Sequence, residues 1–247
     1  MCDLFAVSTA ARYSAPTALP VFAAKARKNM DGWGIGFFKK KQAIVEKSAA
    51  WAYHEGRFHD SFQRLARVIS SKIIIAHVRF QTSGPIDECH AHPFVLRYRG
   101  QDWIFAHNGK APAVESYRGR RVQVAGAVSD SARTFEYLLD GLADRQAENQ
   151  GIVPLFDALA ATTRQLIGQY PGKYNYLLTN GWVMFAFTNH RQLVLLKGSR
   201  SLEQGLLLTT VAEGLSGENW VKVARRSGSD GVLMAIAGSD ILLKRDL

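Results

Sequence analysis

The alternation of apolar and polar positions predicts a protein built mostly from short strands. The clearest strand is Lys72–Phe80, a β-branched run bounded by polar residues, which carries Arg79 near its end. Another clear strand, Asp102–Ala106, leads into His107-Asn108-Gly109, where Asn-Gly is typical of a turn that exposes backbone N–H groups. The remaining predicted strands are Cys2–Thr9, a turn and strand at Asp31–Phe38, Gln42–Ser48, Tyr174–Thr179, Trp182–Thr188, Gln192–Lys197, Leu206–Thr210, Asn219–Val223, Gly231–Ile236 and Asp240–Leu243.

Helical periodicity is confined to fewer segments. Ser61–Ile69 carries apolar residues at the three- and four-residue spacing of a short amphipathic helix. Ser129-Asp130-Ser131 is typical of a helix N-terminus, and the helix that it opens is followed by another at Ile152–Ile167. The less regular segments are a loop or broken helix over Ala10–Pro20, a short helix around Ala23–Lys28 and a loop at His54–His59.

Together these elements indicate an α+β protein. Strands far outnumber helices, and the longer helices form a central block, which argues against an alternating parallel sheet. Asn180-Gly181 between two strands predicts a hairpin. Neither an internal repeat nor a linker-like tract interrupts the sequence, so we expect residues 2–247 to form one domain.

The composition is that of a globular protein in a reducing compartment. The chain has 247 residues, of which 47% are hydrophobic, and no apolar run reaches the length of about 18 residues that a membrane span needs. The first twenty residues contain Asp3 and Arg12 and lack the apolar core of a secretory signal. Two cysteines, Cys2 and Cys89, cannot form a disulfide framework. We therefore expect a cytoplasmic protein without membrane contact.

The formal net charge of +10 raises the question of nucleic-acid binding. Lys and Arg that neutralise phosphates would favour such a partner. The basic clusters are short and scattered, however, and aromatic residues do not alternate with them as they do in RNA-binding motifs. Solvated faces are the favoured interpretation, and a non-catalytic nucleic-acid-binding protein is the alternative from another functional class. The clusters lie at Lys25–Lys28, Lys39–Lys41, Arg118–Arg121 and Arg225–Arg226.

The candidate chemistry begins at Met1-Cys2. If Met1 is removed, Cys2 carries both a thiol and a free α-amine, which is a nucleophile with its own base. The reference pKa values, about 8.5 for the thiol and about 7.7 to 8.0 for the amine, suit this pairing near neutral pH. Taken by itself, a cysteine at this position is usually just a small apolar residue that opens a strand.

Several polar residues lie after predicted strands or begin a helix. Taken singly each has an ordinary interpretation, because Arg79 could lie on the surface, Asn108-Gly109 could form a turn and Asp130 could cap a helix. Six motifs place them in a common pattern. These are Met1-Cys2, DGWGIGF at Asp31–Phe37, AHVRFQTSG at Ala76–Gly84, AHPF at Ala91–Phe94, FAHNG at Phe105–Gly109 and SDSARTF at Ser129–Phe135.

With these motifs in this order the sequence resembles the class II glutamine amidotransferases, which are N-terminal nucleophile hydrolases. The second half is similar to compact, stand-alone members, through LLTNG at Leu177–Gly181 and a Thr-rich strand leading to Glu218-Asn219-Trp220. The resemblance implies a four-layer αββα sandwich of two mainly antiparallel sheets. It also implies that no synthase domain is present, so that any ammonia acceptor is a separate protein.

The resemblance assigns a role to each candidate residue. Cys2 attacks the carboxamide carbon of glutamine, and its α-amine manages the proton. The side-chain amide of Asn108 and the backbone N–H of Gly109 form the oxyanion hole. The substrate's amino-acid end is held by three residues: Arg79 for the α-carboxylate, Asp130 for the α-ammonium and Thr82 as an additional contact.

Two histidines and a possible set of metal ligands lie within or beside these motifs. His92 and His107 are assigned structural roles in shaping loops. Cys89, His90 and His92 could be metal ligands, but a tetrahedral site needs a fourth ligand that no recognisable spacing supplies, so neither a metal nor a cofactor is expected. The expected substrate is glutamine, or else another γ-glutamyl small molecule of the kind used in thiol biosynthesis.

Overall fold

Two antiparallel sheets packed face to face form the centre of the molecule. The computed structural model describes residues 2–26, 28–146, 150–199, 202–215 and 220–247. In chain order the strands of these ranges are β1 (Asp3–Tyr13), β2 (Trp33–Lys39), β3 (Gln42–Ser48), β4 (Tyr53–His54), β5 (Arg57–Phe58), β6 (Ser71–Val78), β7 (Phe94–Tyr98), β8 (Gln101–Lys110), β9 (Lys173–Thr179), β10 (Met184–Thr188), β11 (Val194–Ser199), β12 (Leu202–Thr209), β13 (Val221–Lys222), β14 (Val232–Ala237) and β15 (Asp240–Asp246).

Within the described chain, the first sheet has the strand order β13-β11-β12-β1-β6-β2-β3 and the second has the order β15-β14-β10-β9-β8-β7. The short β4 and β5 pair only with each other. Helices cover the outer face of each sheet: α1 (Ala18–Lys25) and α2 (Asp60–Val68) the first, α3 (Asp130–Asp144) and α4 (Ile152–Gln169) the second. The predicted αββα sandwich is confirmed.

Strict alternation along the central strands builds the three apolar layers. Leu4 and Ala6 of β1 face the second sheet, whereas Phe5 and Val7 face the helices on the outer side. The inner strand β6 alternates in the same way, and its side chains from Ile73 to Val78 are buried, as are those of Leu4 to Val7. Burial on both faces explains why the strands are nearly continuous apolar runs in the sequence.

The glycines of the DGWGIGF motif allow the two sheets to approach closely. A Cβ atom on Gly34 of β2 would lie 2.2 Å from the carbonyl oxygen of His92, and one on Gly36 would lie 3.0 Å from Ile104. A larger side chain at either position would push the sheets apart. The glycines of this strand therefore allow close packing against β7 and β8.

The interpretation of Asn108-Gly109 as a turn is wrong. Both residues belong to β8, which continues to Lys110 because β9 offers a partner for each of them: Asn108 pairs with Asn175 and Gly109 with Tyr174. By contrast, the predicted hairpin at Asn180-Gly181 is confirmed, with Thr179 pairing with Met184 across it. Local turn propensity decides the backbone only where no neighbouring strand competes for its hydrogen bonds.

The segment Ala10–Pro20 also differs from its prediction. β1 continues to Tyr13, and α1 begins at Ala18, earlier than the expected Ala23. Pro20 lies in the first turn of α1, where its missing N–H has no intrahelical partner to lose. The strand β7, the β4–β5 hairpin in place of a loop and a short 3₁₀ helix at Pro112–Ser116 were also not predicted. Glu218 and Asn219 of the predicted second-half motif lie outside the described residues.

Part of the positive charge has a structural role. Arg120 and Arg121 form ion pairs with Asp144 at 2.5 and 2.8 Å, and both lie within 4 Å of the buried Asp140. This basic cluster is thus bound to α3 rather than displayed as a free cationic face. Among the helices that the structure describes, none has the length and apolar character of a membrane span.

Candidate active site

Three of the predicted site residues meet at one end of the layer between the sheets. The antiparallel pairing of β1 with β6 sets Asp3 opposite Val78, so that Cys2 and Arg79 lie at the same end of this strand pair. Asn108 lies near the end of β8 in the facing sheet. Cys2, Arg79 and Asn108 have the parity of the residues that face between the sheets, which brings residues distant in sequence together.

The Cys2 thiol is half-buried and hydrogen-bonded to one residue of the loop after β6. Its Sγ donates to the carbonyl oxygen of Phe80 and accepts from the Phe80 N–H, each at 3.3 Å. Burial raises the pKa of the thiol to about 11, and the Phe80 N–H opposes this increase. The sulfur is therefore protonated at neutral pH, and attack on a substrate requires a group that takes its proton.

A partly buried polar network fixes the main chain of Cys2. The carbonyl oxygen of Cys2 accepts hydrogen bonds from Asn108 Nδ2 and, at 2.7 Å, from Arg191 Nη1. Arg191 also forms an ion pair with Asp3 at 2.6 Å. The Asp3 carboxylate accepts from Asn29 Nδ2 at 2.8 Å and from Thr210 Oγ1 at 2.9 Å, so each of its oxygens has a partner. Arg191, Asn29 and Thr210 were not predicted.

Arg79 presents a buried cation to the site. The side chain is only 4% exposed, and its guanidinium donates to the carbonyl oxygens of Pro85 at 2.8 Å and Ser83 at 2.9 Å. Burial lowers its pKa, but a guanidinium remains charged in proteins. These loop carbonyls hold the group rigidly without neutralising it, so its charge is available to an anionic ligand.

Asn108 and Gly109 form the base of the site. Asn108 is 1% exposed, and within the described residues its Oδ1 has no hydrogen-bond partner, so the bond from Nδ2 to Cys2 orients the amide. A Cβ on Gly109 would lie 1.8 Å from the carbonyl oxygen of Lys173 and 2.4 Å from His107 Nε2. Only glycine fits at this position of β8.

Asp130 joins helix α3 to the end of β8. Ser129 is the N-cap residue, with its Oγ accepting from the Ala132 N–H, which confirms the predicted helix start. Asp130 is the first helical residue, and its carboxylate accepts from the N–H of Ser131 at 2.7 Å and from that of Ala111 at 2.8 Å. The contact with Ala111 shows that Asp130 does more than begin a helix.

A cleft open to solvent collects these side chains. Five of the six predicted site residues line it: Cys2, Arg79, Thr82, Gly109 and Asp130. The sixth, Asn108, contacts Cys2 directly.

Two of the histidines around the cleft, His90 and His107, are engaged with other groups through both ring nitrogens. His107 Nδ1 lies 2.8 Å from Ser131 Oγ, and its Nε2 lies 3.2 Å from the carbonyl oxygen of Lys173. His90 Nδ1 lies 2.6 Å from Asp87, and its Nε2 accepts from the Val128 N–H. Both nitrogens of His90 and His107 are thus bonded, and neither ring is a free base for the Cys2 thiol.

His92 packs between aromatic rings, and its Nδ1 accepts from the backbone N–H of His107. This contact agrees with the structural role expected for the residue. Of the other two candidate metal ligands, Cys89 is exposed and His90 is bound to Asp87. Over the part of the chain that the structure describes, no three His, Cys, Asp or Glu side chains are grouped to hold a metal ion.

His77, whose ring is tilted against that of His92 with 4.3 Å between the centroids, makes a testable contribution to acid stability. Its side chain is fully buried, and within the described ranges neither ring nitrogen is hydrogen-bonded. Burial, aided by the Arg79 charge, lowers its pKa to about 3. The unfolded chain, with an imidazole pKa of about 6.5, binds more protons below that pH, so stability is lost as the pH falls.

We expect the variant His77→Leu to be less sensitive to acid than the wild type. Between about pH 6.5 and the folded pKa of about 3, the wild-type free energy of unfolding should fall faster by up to about 1.4 kcal/mol per pH unit. Urea unfolding of both proteins at a series of pH values measures the difference. Parallel stability curves would contradict the assignment of a neutral, buried His77.

Comparisons with known proteins identify the family. The family model described as glutamine amidotransferases class-II matches residues 1–202. A Mycobacterium tuberculosis gamma-glutamyl-hercynylcysteine sulfoxide hydrolase is 33% identical over 125 residues, which cover 47% of this chain and 47% of the relative. The chain spans about half the length of the curated relatives it matches.

Solved structures share the fold at low sequence identity. A glutamine aminotransferase class-II domain protein from Silicibacter pomeroyi is 18% identical, with a TM-score of 0.63 and 99% of both chains covered. Glutamine phosphoribosylpyrophosphate amidotransferase from Bacillus subtilis is 13% identical, with a TM-score of 0.65, 99% of this chain covered and 49% of that chain. These structures support the αββα architecture, and the family match extends over most of the sequence. The chain belongs to the class-II glutamine amidotransferases.

Proposed function

We propose that this protein hydrolyses the γ-carboxamide of glutamine through a γ-glutamyl thioester on Cys2 and releases glutamate and ammonia. The observation that carries the proposal is the convergence of Cys2, Arg79, Gly109 and Asp130 on one cleft, with Asn108 bonded to Cys2. Hydrolysis of the side-chain amide of an amino acid needs a nucleophile and an oxyanion site for the reaction. It also needs a cation and an anion to bind the α-carboxylate and the α-ammonium.

Removal of Met1 would supply the base. The thiol has a raised pKa and must lose its proton during attack, while His90 and His107 use both ring nitrogens for other bonds. The α-amine of a processed Cys2 belongs to the same residue as the thiol. Its reference pKa of about 7.7 to 8.0 suits it to accept the thiol proton near neutral pH. A Cys2 nitrogen still acylated by Met1 cannot take this proton.

The proposed reaction has two halves. In the first, Sγ forms a bond to the carboxamide carbon, the α-amine takes the thiol proton, and the C–N bond breaks as ammonia leaves with that proton. In the second, water loses a proton to the α-amine and attacks the thioester, and the thiol is regenerated as glutamate leaves. The negative charge that develops on the substrate oxygen would be stabilised by the Gly109 N–H and the second N–H of the Asn108 amide.

Substrate recognition would rest on the amino-acid end of the molecule. Arg79 is suited to bind the α-carboxylate and Asp130 the α-ammonium, and Thr82 lines the same cleft. None of these three roles involves the leaving group on the far side of the scissile bond. A different γ-glutamyl amide is therefore the second candidate substrate, favoured by the similarity to a relative named as a gamma-glutamyl-hercynylcysteine sulfoxide hydrolase.

We also propose that residues 2–247 act as one domain and that any acceptor of the ammonia is bound by a separate protein. The free thiols of Cys2 and Cys89 suit a reducing compartment such as the cytoplasm. The charge of Arg120 and Arg121 is used within the protein, which further disfavours the nucleic-acid-binding alternative.

The function is tested by a substrate series. We expect equimolar glutamate and ammonia from glutamine, or glutamate from a γ-glutamyl anilide. We expect kcat/KM to fall by about 10²-fold or more for analogues of these amides that lack the α-carboxylate or the α-amine. Each analogue leaves one buried ionic group of the protein, Arg79 or Asp130, without a partner. Asparagine, one methylene shorter, is the matched negative control. Absence of turnover on every γ-glutamyl compound by a chain with an N-terminal Cys2 would contradict the proposal.

A further inference from the structure

We propose that Arg191 is a positioning residue for this reaction: through the carbonyl oxygen of Cys2 it holds the nucleophilic residue and the oxyanion donor Asn108 in a single arrangement. The inference rests on the proposed function and deepens it. Arg191 is not among the residues that line the cleft. Three lines of geometry carry the inference.

The first is the shared acceptor. A carbonyl oxygen has two lone pairs, and that of Cys2 uses both, one for Asn108 Nδ2 and one for Arg191 Nη1. Asn108 has two amide hydrogens. Because one is committed to Cys2, the direction of the other is fixed as well, and this is the hydrogen that the proposed mechanism assigns to the oxyanion. Movement of the Cys2 carbonyl would therefore displace the thiol and the oxyanion donor together.

The second is the support of Arg191 itself. Its guanidinium pairs with Asp3, and its own carbonyl oxygen accepts from Asn175 Nδ2 at 2.6 Å and Thr188 Oγ1 at 2.7 Å. Asn175 is the β9 residue that pairs with Asn108 of β8. The strand pair that presents the oxyanion donor thus also anchors the loop from which Arg191 reaches Cys2.

The third is access. Arg191 lines an open cavity of about 480 Å³ together with Asp3, Lys25, Asn29 and Glu213. This cavity shares none of its lining residues with the cleft that holds the Cys2 thiol. Truncation of Arg191 would leave a space that a small cation can reach from solvent without competing with glutamine for the cleft.

This access makes chemical rescue the test. We expect Arg191→Ala to lower kcat by about 10²-fold with KM nearly unchanged. A displacement of the reacting groups by about 1 Å costs a rate factor of this size. Millimolar guanidinium or methylguanidinium should restore a large part of kcat in this variant and leave the wild type unaffected. Arg191→Lys should retain intermediate activity without rescue, since an ammonium does not reproduce the planar fork but occupies its place.

Arg225→Ala is the matched control. Arg225 also donates to a main-chain carbonyl of this loop, that of Asn189 at 2.6 Å, but it lines neither the cleft nor the cavity. We expect wild-type kcat and no response to guanidinium. Wild-type kcat in Arg191→Ala, or a loss without rescue that only tracks the unfolded fraction, would overturn the positioning role while the proposed function stands. A wild type inactive toward γ-glutamyl compounds would overturn both.

Discussion

Replacing Cys2 with Ala should abolish turnover, with kcat falling on the order of 10⁶-fold, the scale seen when a hydrolase loses its nucleophile. Without Sγ no thioester forms, and the cleft is left with binding groups only. Because the side chain is half-buried and small, the fold should change little. Glutamate release and the thermal unfolding midpoint, both measured for the variant and the wild type, separate a loss of chemistry from a loss of structure.

The second cysteine provides the control for this prediction. Cys89 is exposed, and Cys89→Ala should retain wild-type kcat. Cys2→Ser should be folded and nearly inactive, since a hydroxyl with a much higher pKa is a poorer nucleophile for the same amine base. Substantial glutaminase activity in Cys2→Ala would mean that another residue carries the reaction and would contradict the mechanism.

Replacing Asn108 with Ala should lower kcat by about 10² to 10³-fold, because one donor to the developing oxyanion is lost. The ground-state carboxamide is held mainly by its amino-acid end, so KM should change far less than kcat. Asn108→Asp should be at least as damaging, since it replaces the donor with a negative charge beside the oxyanion. Steady-state kinetics on glutamine measure all three proteins.

Asn180 is a suitable reference for the structural cost of an Asn to Ala change. It has low exposure, and its Oδ1 accepts from the N–H groups of Trp182 and Val183 in the β9–β10 turn. Asn180→Ala should lower the melting temperature without lowering kcat. A rise in KM equal to the fall in kcat/KM for Asn108→Ala would indicate a substrate-binding role instead of oxyanion stabilisation.

The sequence predicts this fold well because the strands obey a local rule. Apolar runs such as Lys72–Phe80 correspond to β6, and alternation assigns Leu4 and Phe5 to opposite faces of β1. The turn predicted at Asn108-Gly109 is wrong for a non-local reason, since β9, which lies more than sixty residues further along the chain, pairs with both residues and extends the strand. Periodicity alone does not reveal which strands become neighbours.

The site residues also differ in whether local sequence or only the folded structure reveals them. Cys2, Arg79, Asn108 and Asp130 stand within motifs or at element ends, where local sequence carries a signal. Arg191 lies 189 residues from the carbonyl that it contacts, in a loop with no motif, and only the packed sheets bring it to Cys2. Residues that act on the main chain of another residue leave no pattern in one sequence.

A γ-glutamyl thioester on an N-terminal Cys2 should be visible by mass spectrometry of acid-quenched enzyme during turnover of glutamine. We expect a peptide that begins at Cys2, carries one γ-glutamyl group and loses it to hydroxylamine, and we expect no such adduct in Cys2→Ala. A fully active enzyme that retains Met1, or a γ-glutamyl group on any other residue, would contradict this mechanism.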